Sequence, residues 1–116
     1  MKVLILDDDK ALLRALEGML TSNGYDVDCS DNARDAVQMV AKYDYDFVLV
    51  DYKMPENDGI WFMENAKIPR KTKILLSTAY ANRNVIKKMF ALGASGYLIK
   101  PYDQEELLRN LAFYSF

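Results

Sequence analysis

Hydrophobic residues along this chain form short unbroken runs separated by segments of mixed polarity. Apolar runs of three or four residues without alternation are typical of strands that are covered on both faces, as in parallel sheets. Four clear runs and one weaker run recur along the sequence. The clear runs are 3–6, 47–50, 74–76 and 97–99, and the weaker one is 25–29.

An amphipathic segment follows each apolar run. Its apolar residues repeat at intervals of three or four, which predicts a helix with one buried face. The five predicted faces are Leu12, Leu16, Met19 and Leu20; Ala33, Val37 and Val40; Ile60, Met63 and Ala66; Val85, Ile86, Met89 and Phe90; and Leu107, Leu108 and Leu111.

Turn and cap residues agree with this division. Gly24 and Gly93 stand where helices should stop, while Asp103 and Glu106 form a capping-box-like start for the last helix. Asp9 is expected to cap the first helix. Five strand–helix units with right-handed crossovers predict a three-layer α/β sandwich around a parallel five-stranded sheet.

Composition restricts the function. The 116 residues, 51% of them hydrophobic, suit one domain over 1–116, and the net charge of -2 gives no electrostatic basis for direct nucleic-acid or membrane binding. The absence of histidine excludes Ser-His-Asp and Cys-His catalysis, so phosphohistidine would have to come from a partner. We expect Cys29 to be a buried thiol, and the lack of an apolar run of about 20 residues indicates a cytoplasmic location.

Polar side chains follow the apolar runs directly. Asp7, Asp8 and Asp9 follow the first run, Asp51 the third, Ser77 and Thr78 the fourth, and Lys100 the fifth. Ligands bind outside the carboxyl ends of strands in open parallel sheets, so we expect these groups to converge at one edge.

Converging carboxylates either raise a pKa or bind a hard cation through oxygen. Mg²⁺ fits best, with Asp8 and Asp51 as direct ligands and Asp7 acting through water. One Asp51 oxygen would then be free to attack phosphorus, while Lys100 and Thr78 would contact phosphoryl oxygens.

At four sites the sequence resembles the response-regulator receiver family, from Lys2 to about Leu111. The matching segments are LDDD at 6–9, VDYKMP at 50–55 with Asp58-Gly59, STA at 77–79 and GYLIKP at 96–101. The resemblance implies that Asp51 is the phosphorylation site and that Asp7 and Asp8 form an acidic metal pair. It also implies that the Lys53 main-chain carbonyl is a further Mg²⁺ ligand.

The resemblance implies a switch as well. Thr78 would be the switch hydroxyl, Tyr97 the aromatic that moves with it, and Lys100 the cation on the phosphoryl group, with a cis bond before Pro101. The implied fold is flavodoxin-like, (βα)5 with strand order 2-1-3-4-5. The implied phosphodonor is a sensor histidine kinase or phosphotransfer protein. An output domain or effector would bind the face formed by the fourth helix, fifth strand and fifth helix.

Other interpretations remain open. Asp7-x-Asp9 resembles the motif of haloacid-dehalogenase-like phosphatases, although Ala11 replaces the usual Thr or Val and the chain is short. A receiver-like module could also signal without phosphate, and flavin binding is disfavoured by the aspartates after the first strand. Lys53 and Tyr80 flank the predicted site; Lys53 could hold substrate phosphate or point into solvent.

Overall fold

The computed structural model describes residues 1–115, in which five strands alternate with five helices. The strands are β1 (Lys2–Leu6), β2 (Asp26–Ser30), β3 (Phe47–Val50), β4 (Lys73–Thr78) and β5 (Gly96–Ile99). The helices are α1 (Lys10–Ser22), α2 (Ala33–Lys42), α3 (Gly59–Asn65), α4 (Arg83–Ala91) and α5 (Gln104–Phe113).

All strand pairs are parallel, and the order in the sheet is β2-β1-β3-β4-β5. This confirms the predicted α/β sandwich and its flavodoxin-like order. The chain leaves β1 toward β2 on one side and then crosses to β3 on the other side. The carboxyl ends of β1 and β3 therefore flank the crevice where such sheets bind ligands.

The sheet separates two hydrophobic cores. Side chains alternate along each strand, so Leu4 and Leu6 face the core formed with α2, α3 and α4, while Val3 and Ile5 face the core formed with α1 and α5. Because both faces are covered, the strands carry the unbroken apolar runs seen in the sequence.

The strand predictions hold to within a few residues, but the helix faces differ in detail; in α2, for example, Ala36 is buried and the predicted Val37 is half-buried. In α1 the fully buried residues are Leu13, Leu16 and Leu20, and Leu12 is half-buried. In α3 Phe62 is buried and was not predicted to be. Phe90 of α4 was predicted to be buried but is 41% exposed. Its ring packs edge-to-face with the Tyr97 ring of β5.

The helix boundaries agree with the predicted caps. The Asp9 side chain accepts the Leu12 N–H at 3.0 Å, and the Asp103 side chain accepts the Glu106 N–H at 2.8 Å. Gly24 and Gly93 have φ values of 90° and 114°, in the left-handed region that favours glycine. These local signals therefore fix where the helices start and stop.

Cys29 differs from expectation, because its side chain on the edge strand β2 is half-buried rather than fully buried. Burial raises the pKa of this thiol to about 11, and the nearby carboxylates of Glu17 and Asp28 add to the rise. The thiol is therefore protonated at neutral pH. Among residues 1–115, no helix has both the length and the hydrophobicity needed to cross a bilayer.

Gly59, the first residue of α3, lies against the end of β3. A Cβ atom at Gly59 would stand 2.6 Å from the Asp51 carbonyl oxygen and 3.0 Å from the Tyr52 Cα. The Gly59 N–H also donates to the Tyr52 carbonyl at 2.8 Å. Only glycine allows this approach, so the residue fixes how closely α3 packs against the Asp51 main chain.

We expect Gly59→Ala to lower the free energy of unfolding by about 1–3 kcal/mol, because backbone must shift to admit the methyl group. Gly18→Ala is the matched control, since Gly18 is an exposed residue of α1 with nothing within 4 Å of an added Cβ. That change should stabilise the protein by about 0.5–1 kcal/mol. Urea unfolding measures both; equal gains at the two positions would contradict the packing role of Gly59.

Candidate functional site

An open cleft lies at the carboxyl ends of the central strands. Its lining combines three consecutive acidic residues after β1 with residues from the loops after β3, β4 and β5. The lining residues are Asp7, Asp8, Asp9, Asp51, Lys53, Met54, Pro55, Ala79, Tyr80 and Lys100.

Three carboxylates form the acidic part of this cleft. Asp7, Asp8 and Asp51 each present an oxygen, and these oxygens all lie within 4.8 Å of one another. Asp7 and Asp51 are buried and Asp8 is exposed. The Asp51 N–H donates to the Leu6 carbonyl at 2.9 Å, so the pairing of β1 with β3 extends into the site and holds these aspartates side by side.

Lys100 supplies the positive charge. Its ammonium donates a hydrogen bond to Asp7 Oδ2 and lies 3.6 Å from Asp51 Oδ2. Burial alone would lower the pKa of Lys100, but the hydrogen bond to Asp7 and the negative charges of Asp51 and Asp7 outweigh burial and raise it. The side chain is therefore charged and shared between two buried carboxylates.

The Asp51 carboxylate is electrostatically strained. Burial, together with the negative charges of Asp7 and Asp8, raises the pKa of Asp51 to about 6, although Lys100 opposes the rise. Burial and the neighbouring carboxylates together therefore outweigh Lys100, and Asp51 ionises less readily than an exposed aspartate.

The donor set fits Mg²⁺, which prefers oxygen ligands and usually takes one or two carboxylates. Both oxygens of Asp7 already accept protein hydrogen bonds, Oδ1 from the Asp9 N–H at 2.9 Å and Oδ2 from Lys100. Asp8 and Asp51 are less committed. The Lys53 carbonyl is also available, since within residues 1–115 no main-chain hydrogen bond is donated to it.

Thr78 does not line the cleft. Its side chain is fully buried one residue before Ala79, and its hydroxyl oxygen accepts the Tyr80 N–H at 3.0 Å. The hydroxyl is thus bonded to the main chain of Tyr80, which lines the cleft, and its contact with a phosphoryl oxygen stays a prediction.

Tyr97 also lies outside the cleft. Tyr97 is 44% exposed, and its ring centroid lies 6.2 Å from that of Phe90 in a T-shaped arrangement. The two predicted switch residues thus lie on the neighbouring strands β4 and β5.

Of the two arrangements predicted for Lys53, the one that points into solvent agrees with the structure. Its side chain is exposed, but the ammonium lies 4.4 Å from the centroid of the Tyr80 ring, an arrangement that favours a cation–π interaction. The contact joins the loops after β3 and β4 at the mouth of the cleft.

Sequence reasoning missed one polar pair beside the site. Ser77 Oγ and the Tyr102 hydroxyl are 3.0 Å apart. Burial raises the pKa of Tyr102, although the Ser77 hydrogen bond and Lys100 oppose the rise, so the phenol is neutral. The available signal was Ser77 itself, which directly follows the fourth apolar run.

Asp9 lies at the rim of the cleft, but its Oδ1 caps α1. That commitment disfavours the phosphatase interpretation, in which Asp9 would act as the acid. The predicted cis bond between Lys100 and Pro101 is present.

Sequence comparisons identify relatives over most of the chain. It is 33% identical to the chemotaxis protein CheY of Treponema pallidum, covering 96% of this chain and 80% of that protein. It is 35% identical to the regulatory protein AtoC of Escherichia coli and 30% identical to the cell cycle transcriptional regulator CtrA of Caulobacter vibrioides. These matches cover 91% and 96% of this chain, but only 23% of AtoC and 48% of CtrA.

Solved structures show the same fold. The CheY-like receiver domain protein of Methanospirillum hungatei matches with a TM-score of 0.93 and 27% identity, covering 97% of this chain and 90% of that one. The receiver domain of the sensor histidine kinase PA1611 of Pseudomonas aeruginosa, solved with a magnesium ion in its active-site cleft, matches with a TM-score of 0.87 and 27% identity, covering 98% and 96%.

The family model for the response regulator receiver domain matches residues 3–112. This range contains all five strands and all five helices except the first residue of β1 and the last residue of α5. Receiver domains of this family act in two-component signalling, with histidine kinases or phosphotransfer proteins as partners. With the fold, the acidic cleft and this match in agreement, the chain belongs to the response regulator receiver domain family.

Proposed function

We propose that residues 1–116 form one receiver domain in which Asp51 accepts a phosphoryl group from a partner's phosphohistidine, with Mg²⁺ bound. The observation that carries this proposal is the meeting of three carboxylates and the Lys100 ammonium in one open cleft. A phosphoryl group needs alignment and positive charge around its oxygens more than covalent help from the protein.

In the proposed step, an Asp51 oxygen forms a bond to phosphorus as the P–N bond to the donor imidazole breaks. The bond's electron pair stays on the imidazole. Asp8, Asp51 and the Lys53 carbonyl would hold Mg²⁺ directly, and Asp7 would hold it through water. When bound, this ion supplies charge that neutralises the phosphoryl oxygens. Lys100 then shifts its hydrogen bonding from the carboxylates toward the transferred group.

Phosphorylation adds about -1.5 to -2 charge at neutral pH. Thr78 is the proposed switch. It directly precedes Ala79, which lines the cleft, and its hydroxyl can turn to donate to a new phosphoryl oxygen. Its movement frees buried space into which the Tyr97 ring can move. The face formed by α4, β5 and α5 would then change its affinity for an output domain or effector.

This role is signalling and not turnover of a substrate. The domain would catalyse only its own phosphorylation and dephosphorylation.

Incubation with acetyl phosphate and Mg²⁺ should give a mass gain of one phosphoryl group that hydroxylamine removes. Asp51→Asn should abolish the gain, because the amide offers no nucleophilic carboxylate. Intact-protein mass spectrometry measures both, with Asp103→Asn as control, since asparagine also caps helices. Persistence of the adduct in Asp51→Asn would refute the assignment, and steady hydrolysis of an ordinary phosphate ester by that variant would favour the phosphatase alternative.

The raised pKa of Asp51 predicts a pH-dependent stability. Ionised Asp51 disfavours the folded state, fully so above its folded pKa of about 6 and not at all below its ordinary value of 3.8. Without Mg²⁺, Asp51→Asn should therefore stabilise the protein at pH 7.5 by on the order of 1–2 kcal/mol, and the gain should fade as pH falls toward 4.

Urea unfolding in EDTA at several pH values measures this gain, and Asp103→Asn should show no such profile. Adding Mg²⁺ at pH 7.5 should stabilise the wild-type protein more than Asp51→Asn, since the ion offsets the same repulsion. A gain that does not depend on pH would contradict the electrostatic explanation.

Beryllofluoride, a phosphoryl mimic, should shift the amide resonance of Tyr80 strongly. The Tyr80 N–H now donates to Thr78 Oγ1 and loses that acceptor when the hydroxyl turns. Two-dimensional amide NMR checks the change, and the amide of Tyr45 at the opposite end of β3 is the internal reference.

Thr78→Ala should still bind the mimic but leave the exposure of Tyr97 unchanged, as measured by solvent relaxation of its ring protons. If the ring becomes buried in Thr78→Ala to the same extent as in the wild-type protein, Tyr97 does not follow Thr78.

A further inference from the structure

We propose that the paired hydroxyls of Ser77 and Tyr102 position the Lys100 ammonium, an inference that rests on the proposed function of Lys100. We call this pair the hydroxyl tether. Its oxygen atoms are 3.0 Å apart, and either hydroxyl can donate. Among the described residues, Lys100 bonds the carboxylates, whereas Ser77 and Tyr102 bond each other. Both would therefore act through Lys100 as positioning residues.

The tether lies on the same side of the sheet as the buried carboxylates. Ser77 is 4% exposed and follows Leu75 by two positions in β4, so it faces the core formed with α1 and α5. Asp51 has the same relation to Leu49 in β3. The Tyr102 ring packs against that same core.

The segment that carries Lys100 is hydrogen-bonded to β4 at two points. The Lys100 N–H donates to the Thr78 carbonyl at 3.0 Å, and Tyr102, two residues later, is bound to the Ser77 hydroxyl. Consecutive residues of β4 thus anchor the segment that carries Lys100. The tether closes a short loop around the lysine and limits where its main chain can move.

This restraint matters because lysine has a long, flexible side chain whose ammonium has no preferred direction. Here the ammonium must reach Asp7 and stay 3.6 Å from Asp51. Catalytic rates depend steeply on such placement, since a misplacement of about 1 Å can cost on the order of a hundredfold.

Tyr102→Phe removes the hydroxyl and keeps the ring in the core. We expect the rate constant of phosphorylation by acetyl phosphate at saturating Mg²⁺ to fall about tenfold, less than the full cost of a 1 Å misplacement. Ser77→Ala should cause a similar loss, and the double variant should lose no more than either single variant. In a Lys100→Ala background, Tyr102→Phe should have no further effect.

Tyr45→Phe is the matched control. Its hydroxyl donates to Asp28 Oδ2 at 2.6 Å, and Tyr45 is 2% exposed and precedes β3 at the opposite end of the sheet. That variant loses a tyrosine hydrogen bond of similar kind and should keep the wild-type phosphorylation rate even where its urea midpoint falls.

A second measurement separates this inference from the proposed function. The ¹³C relaxation order parameter of the Lys100 Cε methylene, measured without phosphate, should fall in Tyr102→Phe and Ser77→Ala but not in Tyr45→Phe. If it falls while wild-type protein accepts no phosphoryl group, the tether stands and the phosphoacceptor role fails. An unchanged order parameter, or a Tyr102→Phe rate loss that persists undiminished in Lys100→Ala, would overturn the tether.

Discussion

The crowding of negative charge at the ends of β1 and β3 is the constraint on which this structure depends. Asp7, Asp8 and Asp51 bring oxygens within 4.8 Å of one another, and the Lys100 ammonium contacts two of these three carboxylates. Such an arrangement is costly in a folded protein unless a cation or another partner offsets it. The two hydrophobic cores supply the stability that keeps the carboxylates together, because they fix the central strands that carry them.

Parallel pairing converts this sequence pattern into a site. β1 and β3 are neighbours in space, although 40 residues lie between them in the chain, so residues just past each strand meet at one edge. Gly59 lets α3 start close to the Asp51 carbonyl. Asp9, by contrast, caps the start of α1. Local signals and sheet topology thus agree on the same geometry.

Most of the fold could be predicted, because unbroken apolar runs, caps and glycines are local features of the sequence. The exact buried face of each helix was harder to predict. In α1, Leu12 and Leu13 are adjacent leucines at the edge of the apolar face, and it is Leu13 that is buried. Of the site, the meeting of Asp7, Asp8, Asp51 and Lys100 followed from their places at strand ends. The Lys53–Tyr80 contact and the Ser77–Tyr102 bond depend on side-chain direction across loops, which no local pattern encodes.

The position of Thr78 bears on how charge in the cleft could affect the outer face. Its hydroxyl is buried and accepts the Tyr80 N–H, while the Tyr80 ring lies over the Lys53 ammonium. A turn of this hydroxyl therefore removes the acceptor of a residue that joins two loops at the cleft mouth. On β5, beside β4, the exposed Tyr97 packs against Phe90 of α4. The proposed turn of Thr78 would therefore alter the cleft mouth directly, whereas an effect on α4 would have to pass through Tyr97 on the neighbouring strand.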